Sequence, residues 1–596
     1  MCGIVAVCGV ENVKPLLLAG LEALEYRGYD SAGLALVVNG KIEILRSVGK
    51  VANLRALALA APIVGTVGIA HTRWATHGKP TVKNAHPHAT KDVAVVHNGV
   101  IENFAELKKE LMAKGYLFAS STDSEVIAVL LQSLLDKGFT SAEAFKTMLL
   151  QLCGTYAICV IFASEPDRIY GAKLGSPLAI GIGNGWHFMG SDSMAMPSGC
   201  REVVYLEERD SAVITKDSFE ISNDGKSVSR RMCKIEKEVS DGRGDFAYFM
   251  QKEIFEQPEI MEKNIIAPIP NINFEEIEKI HIVACGTSYH AGLVAKYWIE
   301  SLSDICVEVE TASEFRYRRP ILKSGEIALF ISQSGETADT LAALRYAKEK
   351  GQRTIAMVNA KNSSMTREAS VVLDINAGAE IGVASTKVFT AQLTILARIS
   401  LDIARVRATL SANDIALKEK SLADIPMLAK KVLELDAQIK DIAKIWLLGR
   451  HDVIFIGRGY IYPIALEGAL KLKEISYMHA EGYSAGEIKH GPIALVSPGV
   501  PCVVLSPYDS ELFQKTISNM YEVKARGGNI ILVSDAAHCS KLANEVEATI
   551  PMPEIGGFVE PLIYSLPVQM LAYHTTTMLG FDPDRPRNLA KSVTVE

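Results

Sequence analysis

The 596-residue sequence lacks the patterns that would place it among membrane, secreted or nucleic-acid-binding proteins. It contains no apolar run of about 18 residues and no charged leader followed by an apolar segment, so neither a membrane span nor a signal peptide is predicted. Its ten cysteines form no C-x-x-C pair, which argues against a disulfide framework and a zinc site. Aromatic residues make up only 7%, and the net charge of −7 comes without a basic patch, which argues against nucleic acid as the main partner.

Two common phosphate-binding motifs are missing as well. The sequence has no G-x-x-x-x-G-K-S/T and no G-x-G-x-x-G, so neither nucleotide triphosphates nor dinucleotides are expected as ligands. The remaining composition, with 48% hydrophobic and 22% charged residues, is that of an ordinary globular protein. A chain of this length is expected to form about three or four domains.

The residue that first points to chemistry is Cys2, which directly follows Met1 and precedes the strand-like run Ile4–Val7. Removal of Met1 would leave Cys2 with a free α-amine, whose pKa is ordinarily about 7.7–8.0. The neutral amine can take the proton of the thiol in its own residue and activate it without a separate histidine. Taken alone, position 2 favours the simpler interpretation of a small residue entering a buried strand, and only the downstream segments reverse this.

Downstream segments supply the other groups that hydrolysis of a glutamine amide requires. Arg73 offers a charge-assisted fork for the α-carboxylate, and Asp123 offers an anion for the α-ammonium. The Asn98 side chain and the Gly99 N–H, expected at a strand-to-turn junction, can hold the developing oxyanion, a contribution of about 3 kcal/mol per donor. The segments concerned are Tyr26–Gly33, His71–Gly78, Asn84–His88, Val95–Gly99 and Ser121–Glu125.

In this order behind Cys2, these segments resemble the glutaminase domain of the N-terminal-nucleophile (Ntn, class II) amidotransferases. The resemblance extends from Cys2 to about residue 215 and implies an α+β domain with αββα layers. It implies that Cys2 is the nucleophile and that Trp74 gates the passage of ammonia. The residues that it implies for glutamine binding are Arg73, Trp74, Thr76, His77 and Asp123.

The second half of the sequence has a different texture. Beyond residue 275, short apolar strands alternate with helices, as is typical of α/β proteins with a parallel sheet. The segment His281–Ser288 corresponds to Val453–Tyr460, and Ala328–Ser334 corresponds to Cys502–Tyr508, so we expect two copies of one fold. The expected organisation is a domain at 1–225, a linker at 226–258, two α/β domains at 275–408 and 442–580, and a tail at 581–596.

A hydroxyl-rich segment, Ser332–Thr337, lies between a strand and an Ala/Leu-rich helix, and we call it the serine loop. Its hydroxyls and the N–H groups at the helix start could hold a phosphate, although Ser or Thr there often only caps the helix. The segment Cys285–Ser288 repeats the arrangement one strand earlier, and both lie where α/β sheets bind ligands. The predicted phosphate-binding residues are Thr287, Ser288, Ser332, Gln333, Ser334 and Thr337.

These features resemble the tandem sugar-isomerase (SIS) domains of the glucosamine-6-phosphate synthase family, together with the segments Glu380–Lys387, Glu467–His490 and Arg587–Glu596. The resemblance implies that Glu474 moves a proton between C1 and C2 of the sugar, with Lys471 near the C2 oxygen. It implies that Lys591 forms an imine with the ketose. His490 would open the ring, contributed by the neighbouring subunit of a homodimer, and Val383 would join Lys471 in binding the sugar phosphate.

The expected function is therefore that of a cytoplasmic enzyme with two activities: it hydrolyses L-glutamine and uses the ammonia to convert D-fructose 6-phosphate into D-glucosamine 6-phosphate. No metal or cofactor is expected, because side chains fill every role, and His86 and His88 are expected to be structural. Asparagine synthetase and amidophosphoribosyltransferase share such a glutaminase, but their S-G-G-x-D-S and D-D-S loops are missing. A sugar-phosphate sensor would not need Glu474, His490 and Lys591.

Overall fold

The computed structural model describes residues 2–25, 28–75, 77–197, 199–235 and 242–594. The chain divides into two compact units, Met1–Glu238 with Ser592–Glu596, and Val239–Lys591. Within the described ranges, none of the helices is both apolar enough and long enough to cross a bilayer.

Within the described residues, the first unit contains two antiparallel sheets and five α-helices. Its strands are β1 (Gly3–Cys8), β2 (Ser31–Val38), β3 (Lys41–Val48), β4 (Val67–Arg73), β5 (His88–Ala89), β6 (Val93–Ile101), β7 (Gly154–Phe162), β8 (Ile169–Leu174), β9 (Ala179–Ile182), β10 (His187–Gly190), β11 (Glu202–Tyr205), β12 (Asp210–Ile214), β13 (Phe219–Asn223), β14 (Lys226–Val228) and β15 (Met232–Lys234). Its helices are α1 (Lys14–Ala23), α2 (Val51–Ala60), α3 (Phe104–Ala113), α4 (Glu125–Leu135) and α5 (Ser141–Leu149).

The two sheets pack face to face between two layers of helices. Their strand orders are β15-β11-β9-β10-β1-β4-β2-β3 and β14-β13-β12-β8-β7-β6-β5. Alternate residues of each strand point to opposite faces. In β1, Ile4 therefore faces the second sheet, whereas Val5 packs with Leu17 of α1. The second sheet buries its other face, including Val95, against α3, α4 and α5. The predicted αββα arrangement is confirmed.

The register of β1 positions the start of the chain. Gly3 pairs with Thr72 of β4, which brings the preceding residue, Cys2, next to the end of β4 at Arg73. The long strand β6 pairs with β7 over its full length, with Asn98 opposite Ala157. The nucleophile and the predicted oxyanion residues are thus carried by strands whose backbones are fixed by neighbours in the sheets.

The second unit contains two five-stranded parallel sheets and fourteen helices within the described ranges. Its strands are β16 (Lys279–Ala284), β17 (Cys306–Thr311), β18 (Ile327–Ser332), β19 (Arg353–Val358), β20 (Val371–Asp374), β21 (Asp452–Gly457), β22 (His479–Ser484), β23 (Pro501–Leu505), β24 (Asn529–Asp535) and β25 (Ala548–Met552). Its helices are α6 (Phe249–Phe255), α7 (Gln257–Ile266), α8 (Gly286–Leu302), α9 (Ala312–Arg318), α10 (Ala338–Glu349), α11 (Ser364–Glu368), α12 (Lys387–Val406), α13 (Ala412–Ala423), α14 (Ile425–Leu433), α15 (Asp436–Ile442), α16 (Tyr462–Ser476), α17 (Ser510–Lys524), α18 (Ala536–Leu542) and α19 (Glu560–Met578).

The two parallel sheets have the same topology. Their orders, β17-β16-β18-β19-β20 and β22-β21-β23-β24-β25, place the first strand of each copy between the second and the third. This order confirms the internal repeat expected from the sequence. In such sheets, ligands bind beyond the carboxyl ends of the strands, where the strand order reverses. The serine loop directly follows β18 in the first copy and therefore lies at this position.

Candidate active sites

Cys2 lies partly buried between the end of β4 and the strand β6. Its thiol donates a hydrogen bond to the Trp74 carbonyl oxygen at 3.6 Å, and its own carbonyl oxygen accepts one from Asn98 Nδ2 at 3.1 Å. Burial raises the pKa of the Cys2 thiol, although the bond to Trp74 and the charge of Arg73 act in the opposite direction. The thiol is therefore protonated at neutral pH and requires a base before it can attack.

The sequence predicted Asn98 and Gly99 at a strand-to-turn junction, and this prediction is wrong. Both are inside β6, which continues to Ile101, because pairing with β7 overrides the tendency of Asn-Gly to form a turn. Gly99 has a φ of 128°, and a Cβ atom there would lie 2.0 Å from the Thr155 carbonyl oxygen. Only glycine fits this position.

The Gly99 N–H is the second predicted oxyanion donor. It adjoins Asn98 within β6, and two residues further on the Ile101 N–H donates to Asp123 Oδ2 at 2.9 Å. An oxyanion hole needs such a pair of donors, and the part of Gly99 in it remains a prediction.

The sequence analysis gave no role to His71, although this residue begins the segment His71–Gly78. Its Nε2 lies 3.0 Å from both Asn98 Oδ1 and the His97 carbonyl oxygen. Both partners accept hydrogen bonds, so Nε2 carries the proton, and burial lowers the pKa of His71 to about 3 and keeps the ring neutral. This bond holds the Asn98 amide with its NH₂ group toward Cys2. Only the folded sheet brings these residues together, so the spacing in sequence gave no signal.

Two of the predicted glutamine-binding residues, Arg73 and Asp123, are buried near Cys2. Arg73 is 3% exposed and donates through Nη2 to the carbonyl oxygens of His77 and Gly78, whereas its Nη1 is buried and has no partner among the described residues. Asp123, 4% exposed, accepts from the Ile101 N–H. Trp74 contributes its carbonyl group to Cys2. Thr76 lies outside the described residues.

The second candidate site is organised around Lys471 on α16. Its side chain is 1% exposed, with Nζ 2.6 Å from Glu474 Oε2 and 3.5 Å from Glu467 Oε1. Burial alone would lower the pKa of Lys471, but Glu474, Glu467 and the more distant Glu380 raise it well above its usual range. The helical spacing of 467, 471 and 474 places all three on one face, as predicted.

Glu467 joins this helix to the first repeat. It accepts hydrogen bonds from Thr287 Oγ1 at 3.0 Å and lies 2.7 Å from His290 Nδ1, both on α8. Ser288, the other predicted phosphate residue there, accepts a bond from Gln392 Nε2 at 3.0 Å, which leaves its own hydroxyl proton free to donate. The bonds of Glu467 therefore link the two repeats, whereas the bond of Ser288 lies within the first repeat.

The serine loop forms a turn held by its own hydroxyl groups. Ser332 Oγ accepts from the Gly335 N–H at 3.0 Å and lies 3.1 Å from Thr337 Oγ1, and Ser334 Oγ accepts from the Glu336 N–H at 3.2 Å. The Gln333 carbonyl oxygen accepts two backbone bonds from the end of β19. The Thr337 side chain does not cap α10, so the capping alternative does not explain this residue.

The second repeat differs at the equivalent place. After β23, the side chain of Asp509 caps α17 by accepting from the N–H groups of Glu511 and Leu512, at 3.0 and 2.9 Å. A carboxylate thus occupies the helix start where the first repeat has uncharged hydroxyls.

Lys591 lies against the segment Glu380–Val383. Its side chain is 4% exposed, and Nζ donates to the Gly382 carbonyl oxygen at 2.7 Å and to the fully buried Glu380 carboxylate. Val383 is fixed by a bond from its N–H to the Asp584 carbonyl oxygen at 3.1 Å. The effect of Glu380 on Lys471 indicates that the two lysines share one electrostatic environment.

His490 stands apart from this group. It ends a short 3₁₀ segment, Ala485–His490, and is exposed. Within the described ranges of this single chain, its imidazole makes no hydrogen bond or ion pair. The structure thus contains two buried lysine–carboxylate pairs, Lys471 with Glu474 and Lys591 with Glu380, and His490 takes part in neither pair within the described chain.

Similarity to known proteins agrees with both sites. The chain matches the SIS domain over residues 273–399 and 447–579 and the glutamine amidotransferase domain over residues 71–194. It is 47% identical over 609 residues to the glutamine–fructose-6-phosphate aminotransferase (isomerizing) of Zymomonas mobilis, with 100% of both chains covered. The protein of the same name from Bradyrhizobium diazoefficiens is 49% identical over 610 residues, again with 100% of both covered.

The chain belongs to this aminotransferase family. A solved structure, the C-terminal domain of glucosamine-fructose-6-phosphate aminotransferase from Francisella tularensis, has 43% sequence identity and a TM-score of 0.56, and covers 58% of this chain and 100% of that one. The predicted order of one glutaminase domain and two SIS domains is confirmed. The roles of individual site residues in the aminotransferase remain predictions.

We expect Gly99→Ala to abolish glutaminase activity, because its Cβ would collide with the Thr155 carbonyl and displace the oxyanion donors of β6. The matched control is Gly115→Ala, which also has positive φ, 90°, but nothing within 4 Å of the added Cβ. It should cost about 1 kcal/mol of stability and leave activity unchanged. Glutamate release and thermal unfolding of both variants distinguish these results, and equal activity of both would contradict the oxyanion assignment.

Proposed function

We propose that the protein hydrolyses L-glutamine at Cys2, passes the ammonia internally to the SIS domains, and converts D-fructose 6-phosphate into D-glucosamine 6-phosphate. The observation that carries the proposal is the grouping of Lys471, Glu474 and the Lys591–Glu380 pair in a chain that also has the Cys2–Asn98 arrangement. The names of the full-length relatives describe an isomerising transfer from glutamine to fructose 6-phosphate. A sensor of sugar phosphates would need neither constellation.

In the glutaminase step, the α-amine of the mature Cys2 accepts the thiol proton, and the thiolate attacks the amide carbon of glutamine. The carbonyl oxygen becomes an oxyanion held by Asn98 Nδ2 and the Gly99 N–H. Its collapse breaks the C–N bond, ammonia leaves with a proton from the amine, and water hydrolyses the thioester to glutamate. Arg73 and Asp123 hold the two charged ends of the amino acid.

In the isomerase step, His490 opens the sugar ring, and the Lys591 amine condenses with the C2 carbonyl to form an imine. Ammonia then replaces Lys591 at C2. Lys471 stabilises charge at the C2 oxygen earlier, while Lys591 attacks the carbonyl and that oxygen is still present. After the exchange, Glu474 removes a proton from C1 and returns it to C2, while the imine nitrogen gains a proton and the C1 hydroxyl loses one, which leaves the amine and the aldehyde of the product. The serine loop holds the phosphate at the far end of the sugar, which fixes the reacting carbons near Glu474.

We further propose that the protein works as a homodimer in the cytoplasm. The isolation of His490 from Glu474 and Lys591 supports a site completed by the neighbouring subunit. A nucleophilic thiol at Cys2 is best preserved in a reducing compartment.

Replacement of Cys2 separates the two activities. Cys2→Ala should eliminate glutamine hydrolysis and glutamine-dependent synthesis, but synthesis from free ammonia should continue because the SIS chemistry uses other residues. Cys153→Ala, at an exposed free cysteine, is the control and should behave as wild type. Measurement of hexosamine phosphate with each nitrogen donor tests this, and full glutamine-dependent turnover by the Cys2 variant would rule out the assignment.

Glu474→Gln keeps the shape of the side chain but removes its basic oxygen. Isomerisation should slow by at least about a hundredfold, the usual lower bound for general-base catalysis, while the imine at Lys591 still forms. The decisive measurement is exchange of the C1 proton of the sugar with deuterated solvent. Glu511→Gln, an exposed position on α17, serves as the control. Exchange at the wild-type rate in the Glu474 variant would show that another residue is the base.

Subunit mixing tests the shared site. His490→Asn and Glu474→Gln proteins should each be inactive, but random exchange of subunits should place intact His490 and Glu474 at one site of each heterodimer. About a quarter of all sites should then be active. Recovery of hexosamine synthesis to about this level supports sharing, whereas no recovery in a verified heterodimer indicates that both residues act in one chain.

A further inference from the structure

A buried carboxyl group that the proposed mechanism does not use lies beside Lys591. Glu253, on α6, is 2% exposed, and its Oε1 accepts hydrogen bonds from the N–H groups of Ile381 and Gly382. Lys591 holds the same segment through the Gly382 carbonyl and the Glu380 carboxylate. Glu253 and Lys591 therefore both bind the segment 380–382, Glu253 through N–H groups and Lys591 through a carbonyl oxygen and a carboxylate.

Among the residues that the structure describes, the second oxygen of Glu253 has no hydrogen-bond partner. Oε2 is buried without a hydrogen bond, and it would lie 2.9 Å from a Cβ atom at Gly382. A buried carboxylate without compensation is costly, so an unpartnered oxygen favours the neutral carboxylic acid. Glu380 differs, because its carboxylate accepts from the Thr386 and Val388 N–H groups and from Lys591.

The charges around Glu253 come from three places in the chain. Burial and the neighbouring Glu380 raise the pKa of Glu253 to about 8, against the opposite effects of Lys591 and Lys387. Lys387 is itself neutralised by Glu256, at 2.9 Å from its Nζ. Lys591 holds the pKa of Glu380 below its usual range, despite burial. Of the two carboxyl groups, Glu380 is therefore the anion that faces the ammonium.

We propose that Glu253 is a positioning residue for Lys591: it fixes the Glu380–Gly382 segment without a charge of its own, so that Glu380 alone receives the ammonium proton when Lys591 becomes the attacking amine. This inference rests on the proposed function, in which Lys591 forms an imine with the ketose.

The proton returns within the same step. Glu380 takes one proton from the Lys591 ammonium, and the amine nitrogen forms a bond to C2 while the carbonyl oxygen becomes a hydroxyl. Glu380 then gives its proton to the leaving hydroxyl, the C–O bond breaks, and water departs from an iminium ion. Ammonium plus ketone thus yields iminium plus water, with the charge unchanged. A second anion at Glu253 would favour the ammonium form and slow the attack.

The test measures imine formation as a function of pH. Full-length protein is incubated with fructose 6-phosphate and cyanoborohydride from about pH 6.5 to 9.5, and the reduced adduct on Lys591 is followed by intact mass. A plot of the wild-type rate against pH should bend, that is, change slope, where Glu253 ionises, near pH 8. Glu253→Gln cannot ionise, so its rate relative to wild type should be near one at about pH 7. It should rise at least about threefold above pH 9, which corresponds to half a pK unit.

A structural role alone gives a different result. The ratio of the variant rate to the wild-type rate would then be reduced by one factor at every pH, and a constant ratio, including a ratio of one, overturns the proposal. The control is Glu259→Gln, an exposed position on α7, which should match wild type throughout. Glutaminase activity and thermal unfolding verify the fold of each variant.

If the Glu253→Gln variant does not fold, a second variant, Glu253→Asp, provides the test. Glu253→Asp keeps an acid but moves it away from the Ile381 N–H, whose bond lowers the pKa of Glu253, so the bend should move to higher pH. A bend at the wild-type position overturns the proposal. If wild-type protein itself forms no adduct on Lys591 and no glucosamine 6-phosphate, the proposed function fails instead, and the two failures are thereby distinguished.

Discussion

The buried ammonium of Lys471 is the charge on which the second unit depends. An ammonium with 1% exposure is tolerated only where carboxylates compensate it, and here Glu467 and Glu474 do so from the same helical face. Glu467 is also bound by Thr287 and His290, so the same ion pair ties α16 to the first repeat. The neutralisation of Lys471 therefore both links the two copies and fixes Glu474, the residue proposed to move the proton.

The first unit buries a group of neutral rings. Four histidines (His71, His86, His88 and His97) are at most 3% exposed, and burial lowers the pKa of each, so their rings are uncharged. The rings of His71 and His86 are in tilted contact, with 4.1 Å between their centroids, and His71 is bonded to the Asn98 side chain. A neutral support suits an oxyanion hole, because the amide of Asn98 is oriented by a hydrogen bond and not by a charge.

Much of this arrangement could be predicted from local sequence. Cys2, Asn98, Gly99 and Arg73 stand in motifs whose chemistry is recognisable, and the period of apolar residues separates the antiparallel half from the parallel one. The position of Asn98 inside β6 was not predictable, because Asn-Gly favours a turn unless a partner strand extends the sheet. His71 and Glu253 were missed for a related reason. Their partners are distant in sequence, and no spacing rule connects a buried acid on α6 with a lysine near the end of the chain.

The two repeats share one fold but differ at the helix start that follows their central strand. Both repeats present a helix start beyond their central strand, but Asp509 fills that of the second repeat with a carboxylate, whereas the hydroxyls of the serine loop leave that of the first one open. An anion is repelled where a carboxylate already caps the helix. If the serine loop holds the sugar phosphate as proposed, duplication yields one phosphate subsite per chain rather than two, because a single aspartate occupies the equivalent helix start in the second copy.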